Sequence, residues 1–255
     1  MAKFSANLGY LWTEHSLVDG VRAAAAAGFN AVECHLPYAV PVDDVNAVLE
    51  ETGLPLIGIN TAAGEDEAGS FGLTALPGCT DEARAAIEQA LDYAAAVKAL
   101  HVHVLAGRAS GDYAHETYVH NLGYAAQLAA ERNLRVVVEP LNERDAPGYF
   151  LSHVEQAVDI IDAVGADNLK LMFDCYHVQI MQGDLMKRIE RHIDYIGHVQ
   201  IASVPGRHEP DQGEVAYERL VPYLDDLGYQ GFVAAEYRPR RGTEEGLGWL
   251  RWFRV

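Results

Sequence analysis

Short apolar runs alternate along this chain with longer stretches whose apolar positions recur at helical spacing. KFSANL (3–8) is followed by a helical segment whose alanine-rich end meets Gly28, a natural helix stop. AVECHL (31–36) precedes a helix opening after Pro41, with Asp43 and Asp44 in its first turn. LPLIGIN (54–60) leads into a long connection, 61–80, and then a helix over 80–98 with Thr80 as its N-cap. The pattern repeats as HVHVLAG (101–107) and helix 114–132, then RVVVEPL (135–141) and helix 153–164. It continues as LKLMFDCYH (169–177) with helix 184–194, HVQIA (198–202) with helix 216–227, and GFVAAEY (231–237) before a last segment from about 243.

Runs apolar on both faces, joined by helices, mean a parallel sheet covered on both sides. Eight such units predict a single-domain α/β chain, a (β/α)8 TIM barrel spanning 1–255. A doubly wound open sheet competes, but it wants a glycine-rich phosphate turn after the first strand, and SANLGYLW is not one.

In such a barrel the active site lies at the carboxyl ends of the strands. From the fifth strand onward those ends carry Glu139, Asp174, Gln200 and Glu236, closing the runs VVVE, LMFD, HVQ and VAAE. Side chains alternate along a strand, so Val137 shares a face with Glu139, Met172 with Asp174, and Ala234 with Glu236. One acid at a strand end is more often a helix cap or a surface ion-pair member; four consecutive strand ends are hard to reach by accident. Three carboxylates cannot share a dry pocket without a cation. All-oxygen donors suit Mg²⁺ or Mn²⁺, whereas zinc more usually recruits His or Cys.

Composition narrows the partners. With 19 Lys and Arg against 37 Asp and Glu, the net charge is −18, which disfavours a nucleic-acid partner. Cys34, Cys79 and Cys175 form neither a disulfide framework nor a C-x-x-C pair, as expected of a reducing cytoplasm. MAKFSANLGY has no signal-peptide pattern, and the alanine run 23–27 is too short to span a bilayer, so a cytoplasmic chain without a membrane partner is expected.

The sequence resembles the hydroxypyruvate isomerase and 2-oxo-tetronate isomerase family, within the xylose-isomerase-like barrels that include D-tagatose 3-epimerase and endonuclease IV. The resemblance runs nearly end to end, through FSANLGYLWTE, FNAVECHLPY, NTAAGE, GLTALPG, VEPLN, FDCYH, HVQIA, PGRHEPDQGE and EYRPRRGTEEGLGWL. It implies that Glu139, Asp174, Gln200 and Glu236 bind the metal and that Glu139 and Glu236 also transfer protons. The implied reaction interconverts hydroxypyruvate and tartronate semialdehyde through an ene-diolate, with no organic cofactor. It further implies substrate contacts from His177, from Arg207, and from Asp145, the weakest of the three. EPLNERDAPGYFL looks more like hydroxypyruvate isomerase; NTAAGEDEAGSFGLTALPG, VPGRHEPDQGE and TEEGLGWL look more like 2-oxo-tetronate isomerase. Hydroxypyruvate is the preferred small 2-oxo acid, with the four-carbon acid or a ketose 3-epimerisation as the alternative.

Two other classes are weighed. An apurinic endonuclease on this barrel would want a His-rich multi-zinc site and basic loops, which Gln200 and the acidic balance oppose. A non-catalytic sugar-acid sensor is opposed by the presence of both Glu139 and Glu236. His101 and His103 read as structural, and Tyr10, Trp12 and Trp249 as core side chains or pocket walls. The 61–80 connection is expected to fold over the mouth as a lid, with Gly64, Gly69, Gly72 and Gly78 as hinges. A homo-oligomer is compatible with everything above.

Overall fold

The computed structural model describes residues 2–64 and 71–253. Eight parallel strands run β1 Lys3–Asn7, β2 Ala31–Glu33, β3 Gly58–Asn60, β4 His101–His103, β5 Arg135–Val138, β6 Leu169–Asp174, β7 Ile196–Ile201 and β8 Phe232–Ala235. Their order around the sheet is β2-β1-β8-β7-β6-β5-β4-β3. The circle closes between β2 and β3 through the Val32–Leu56 bridge and the Val32 N–H, which donates to Pro55 O at 3.0 Å. This is the (β/α)8 barrel that the repeating pattern predicts.

The outer ring holds α1 Leu17–Ala26, α2 Val42–Thr52, α3 Thr80–Ala96, α4 Asp112–Glu131, α5 Val154–Val164, α6 Cys175–Met181, α7 Leu185–His192 and α8 Tyr217–Asp226, with a closing 3₁₀ segment Glu244–Trp252. Alternation divides each strand between two environments. Val136, Val138, Leu171, Phe173, Val199 and Ile201 join the apolar core beneath the helices. Val137, Met172 and Ala234 are buried but stand outside that cluster, on the interior side of the barrel.

Three sequence expectations change. FDCYH is not strand throughout: β6 ends at Asp174, whose carboxylate accepts from the Tyr176 N–H at 2.8 Å and caps α6, so the expected single helix becomes two. Thr80 is the first helical residue rather than the cap, because the Cys79 carbonyl already accepts from Ala83 N. Of the expected lid, 65–70, with Gly69, lies outside the described residues. The segment after it is fastened to the fourth strand unit: Gly72 bridges Ala106, and Ala75 N donates to Ala106 O at 2.7 Å. A Cβ at Gly72 would sit 2.2 Å from the Leu105 carbonyl oxygen, so glycine is needed there for close approach, not for hinging. No helix among the described residues is long and apolar enough to cross a membrane.

Candidate active site

Each parallel strand delivers its last inward-pointing residue to the same end of the barrel. In register, Asp174 lies opposite Gln200, Gln200 opposite Ala234, and Asn7 opposite Glu33. Glu139 and Glu236 extend β5 and β8 by one residue. All four expected ligands are buried: Glu139 is 5% exposed, Asp174 1%, Gln200 3% and Glu236 6%. The mouth above them is a cavity of about 310 Å³ lined by Glu139, Glu236, His103, His177, Arg207 and Asp145, among others.

The carboxylates are unequally supplied with partners. Glu236 accepts from Asn7 Nδ2 at 2.9 Å and pairs with His35 Nε2 at 3.1 Å, and its other oxygen is held by Arg207. Burial works to raise its pKa, but Arg207 and His35 outweigh burial and hold it below the usual carboxylate range. Asp174 meets the same guanidinium only at 3.4 Å, and burial pushes it up to about 7 against that attraction. The two acids share one cation unequally, and the opposite directions of their shifts follow from that. Among the described residues, the nearest basic side chains to Glu139 are His103 at 3.6 Å and His177 at 3.8 Å, both beyond hydrogen-bond reach. Burial, then the charges of Glu236 and Asp174, drive it well above the usual range.

His177 is neutral, because burial and then Arg207 drive its pKa well down. Its Nδ1 accepts from the Asn142 backbone N–H at 2.9 Å, which leaves the ring proton on Nε2. That N–H faces Asp174 Oδ2 at 3.5 Å and Glu139 Oε1 at 3.8 Å.

Arg207 lies stacked between Tyr10 (4.8 Å) and Tyr176 (5.0 Å). Its backbone is in the left-handed region (φ 53°), held by the Arg207 N–H to Ser203 O and by its own carbonyl, which accepts from Arg238 N. The structure therefore brings Arg207 into the site, but turns Nη2 towards Glu236 and Asp174 rather than leaving it free. Asp145 stands at the rim, accepting from Tyr176 OH at 2.8 Å. Tyr10 lines the cavity, whereas Trp12 and Trp249 are core.

One correction concerns His103. It is not merely structural: it lines the cavity, with Nδ1 3.6 Å from Glu139 Oε2, and burial lowers its pKa to about 4. His101 is on the same face one layer deeper, its ring 4.7 Å from that of His198. Sequence reasoning also passed over Asn7, Glu33, His35 and Arg238. Glu33 closes AVE just as Glu139 closes VVVE, so the strand-end rule applied at β2 would have found it. His35 enters because residue 9 is glycine; a Cβ there would sit 2.4 Å from the His35 ring.

The donor set fits a hard divalent ion. Glu139 Oε1 and Gln200 Oε1 are buried oxygens with no hydrogen-bond partner among the described residues, an arrangement that costs free energy unless a cation or donor meets them. Glu139, Asp174 and His177 also bring potential ligand atoms within 4.8 Å of one another.

A family model described as xylose isomerase-like TIM barrel matches residues 21–252. The chain belongs to the xylose isomerase-like TIM barrel family. Within that family, the chain is 46% identical to 2-oxo-tetronate isomerase of Cupriavidus necator, over 98% of each chain. It is 37% identical to hydroxypyruvate isomerase of Escherichia coli, again over 98% of each. A crystal structure from Brucella melitensis, described as AP endonuclease, family 2, is 40% identical and superimposes over 100% of both chains with a TM-score of 0.96.

Proposed function

We propose that this family member is a divalent-metal-dependent aldose–ketose isomerase interconverting hydroxypyruvate and tartronate semialdehyde. One observation carries the reading. Three buried carboxylates and a buried amide converge at the strand ends; among the described residues two of their oxygens have no hydrogen-bond partner and one guanidinium, Arg207, reaches them. The names of the relatives at 46% and 37% identity support isomerisation of a short 2-oxo acid.

Glu139, Asp174, Gln200 and Glu236 would hold Mg²⁺ or Mn²⁺, which supplies a Lewis acid for the carbonyl oxygen and its neighbouring hydroxyl oxygen. Glu139 and Glu236 line one cavity from strands three positions apart, so a planar substrate can meet a carboxylate on either side. One removes the C3 proton to give the ene-diolate, and a proton is returned at C2 by the other or by the same group. The hydroxyl proton passes from O3 to O2, completing the exchange of carbonyl and alcohol. His177 Nε2–H is a neutral donor for a substrate oxygen. Arg207 and Arg238 give the rim the positive charge that suits a substrate carboxylate. Tyr10, Phe71 and Leu105 supply apolar wall that keeps water from the intermediate.

The four-carbon acid is the second reading, favoured by the 46% identical relative. Comparing kcat/KM for the two acids tests this, with hydroxypyruvate expected to be the better substrate. A preference of 100-fold for the four-carbon acid, about 2.7 kcal/mol, would reverse the assignment. Turnover that survives removal of divalent ions would sink the metal-dependent mechanism. A duplex-cleaving role, suggested by the description of the Brucella structure, would have to overcome a net charge of −18 without a basic footprint.

A further inference from the structure

Beneath the proposed ligands sits a carboxylate that the mechanism above does not use. Glu33, 3% exposed at the end of β2, receives three side-chain donors. Asn7 Nδ2 reaches Glu33 Oε1 at 2.8 Å, Gln200 Nε2 reaches the same oxygen at 2.9 Å, and His198 Nε2 lies 2.7 Å from Oε2. Asn7 Nδ2 also donates to Glu236 Oε1, and its own orientation is fixed because the Gly9 N–H donates to Asn7 Oδ1 at 2.9 Å.

We propose that Glu33 is a positioning residue for the divalent ion: it turns the Gln200 amide so that its oxygen is presented as a ligand. This rests on the metal reading of the site.

The reasoning is one of donor and acceptor identity. An amide has two chemically opposite ends, and rotation by half a turn exchanges them with little change in shape. In a metal-free barrel interior with no bias, Gln200 would turn NH₂ towards the ligand position as readily as oxygen, and reorienting the amide would then cost binding free energy. An ionised carboxylate only accepts, so Glu33 is compatible with one orientation alone, NH₂ towards itself. The amide oxygen is then left over, and it is the buried, unpartnered Gln200 Oε1 described above. The same rule applies to Asn7, where the Gly9 N–H claims the oxygen and commits the NH₂ to Glu33 and Glu236. Both of Glu33's own oxygens are occupied by these donors, so its role is to orient ligands rather than to join them. Groups that orient metal ligands in this way typically contribute about 10–100-fold in metal affinity.

The test is a double-mutant cycle on Mn²⁺ affinity, measured by titration calorimetry or by the electron paramagnetic resonance of free Mn²⁺, using the full chain after chelator treatment. Glu33→Ala is expected to weaken binding by about 10–100-fold in the parent. In a Gln200→Ala background the same change is expected to cost less than threefold, because the amide it acts through is gone. A loss under threefold in the parent, or a loss that persists in the Gln200→Ala background, overturns the proposal. A merely structural or long-range electrostatic role gives the second of these results. Thermal melts check folding; if Glu33→Ala does not fold, the same threefold criteria are applied to Glu33→Leu, which fills the space and offers no acceptor. Absence of Mn²⁺ binding in the parent, or an unchanged affinity in Gln200→Ala, would instead defeat the donor set on which the proposal rests, so the two failures are distinguishable.

Discussion

Asp174→Asn is expected to stabilise the metal-free protein while abolishing its response to metal. Asp174 is 1% exposed, and burial lifts its pKa from 3.8 to about 7. A group whose pKa is raised on folding favours the folded state fully below its unfolded pKa, and that advantage is lost as pH rises through the folded value. The window is therefore pH 3.8 to about 7. A shift of roughly three units at 1.36 kcal/mol each makes the ionised side chain cost about 4 kcal/mol above pH 7, of which about 2–3 kcal/mol accrues between pH 5 and pH 7. Asparagine keeps the shape and the oxygen that caps α6 through the Tyr176 N–H, but turns NH₂ towards Arg207 and the His177 Nε2–H, which takes back part of the gain. Glu139 shifts in the same direction and leaves a residual slope in the variant. Glu236 and Glu33, whose pKa values are lowered from 4.5, change protonation on the acid side of the pH 5 to pH 8 range assayed.

The assay is urea unfolding with chelator present, from pH 5 to pH 8. The parent should lose stability as pH rises, and the variant should lose less and be the more stable protein at pH 8. Mn²⁺ in excess should close most of this gap by raising the parent alone, since an ion at 100 times its Kd adds about 2.7 kcal/mol to the state that binds it. A parent curve flat from pH 5 to pH 7, or a variant no more stable than the parent at pH 8, would refute the account of a carboxylate strained by the absence of its cation.

Glu139→Gln and Glu236→Gln should each lower kcat by about 10²–10⁴-fold, the usual contribution of a positioned acid–base group. At least one should also lose exchange of the substrate C3 hydrogen with solvent, read by proton NMR in D₂O; full exchange in both variants would remove these residues from the proton path. His177 should show the Nε2–H tautomer in nitrogen-15 NMR from pH 6 to pH 8, because the Asn142 N–H occupies Nδ1 and burial opposes protonation. An imidazolium at pH 7 would contradict this.

The sequence alone settled which residues share a face. Strand alternation is a covalent property of extended chain, so an acid or amide two positions after Val137, Met172, His198 or Ala234 had to share that residue's face. The alternation of apolar runs with helical stretches likewise settled the barrel, because parallel strands buried on both faces admit few architectures. The same rule was available for Asn7, Glu33 and His103; their runs, SAN, AVE and HVH, are short and closed by residues that also have ordinary structural roles. Tertiary structure decided the rest, because it depends on distances across the barrel that no local pattern encodes. His35 reaches Glu236 across 201 positions of chain, and Glu33 meets Gln200 across 167. The unequal sharing of Arg207, which with His35 holds the Glu236 pKa down while burial raises that of Asp174, arises from a guanidinium held by the turn after β7 and stacked on Tyr10 and Tyr176. Sequence supplied the donors; closure of the barrel decided which of them satisfy one another, and that Glu139 Oε1 and Gln200 Oε1 meet no hydrogen-bond partner among the described residues.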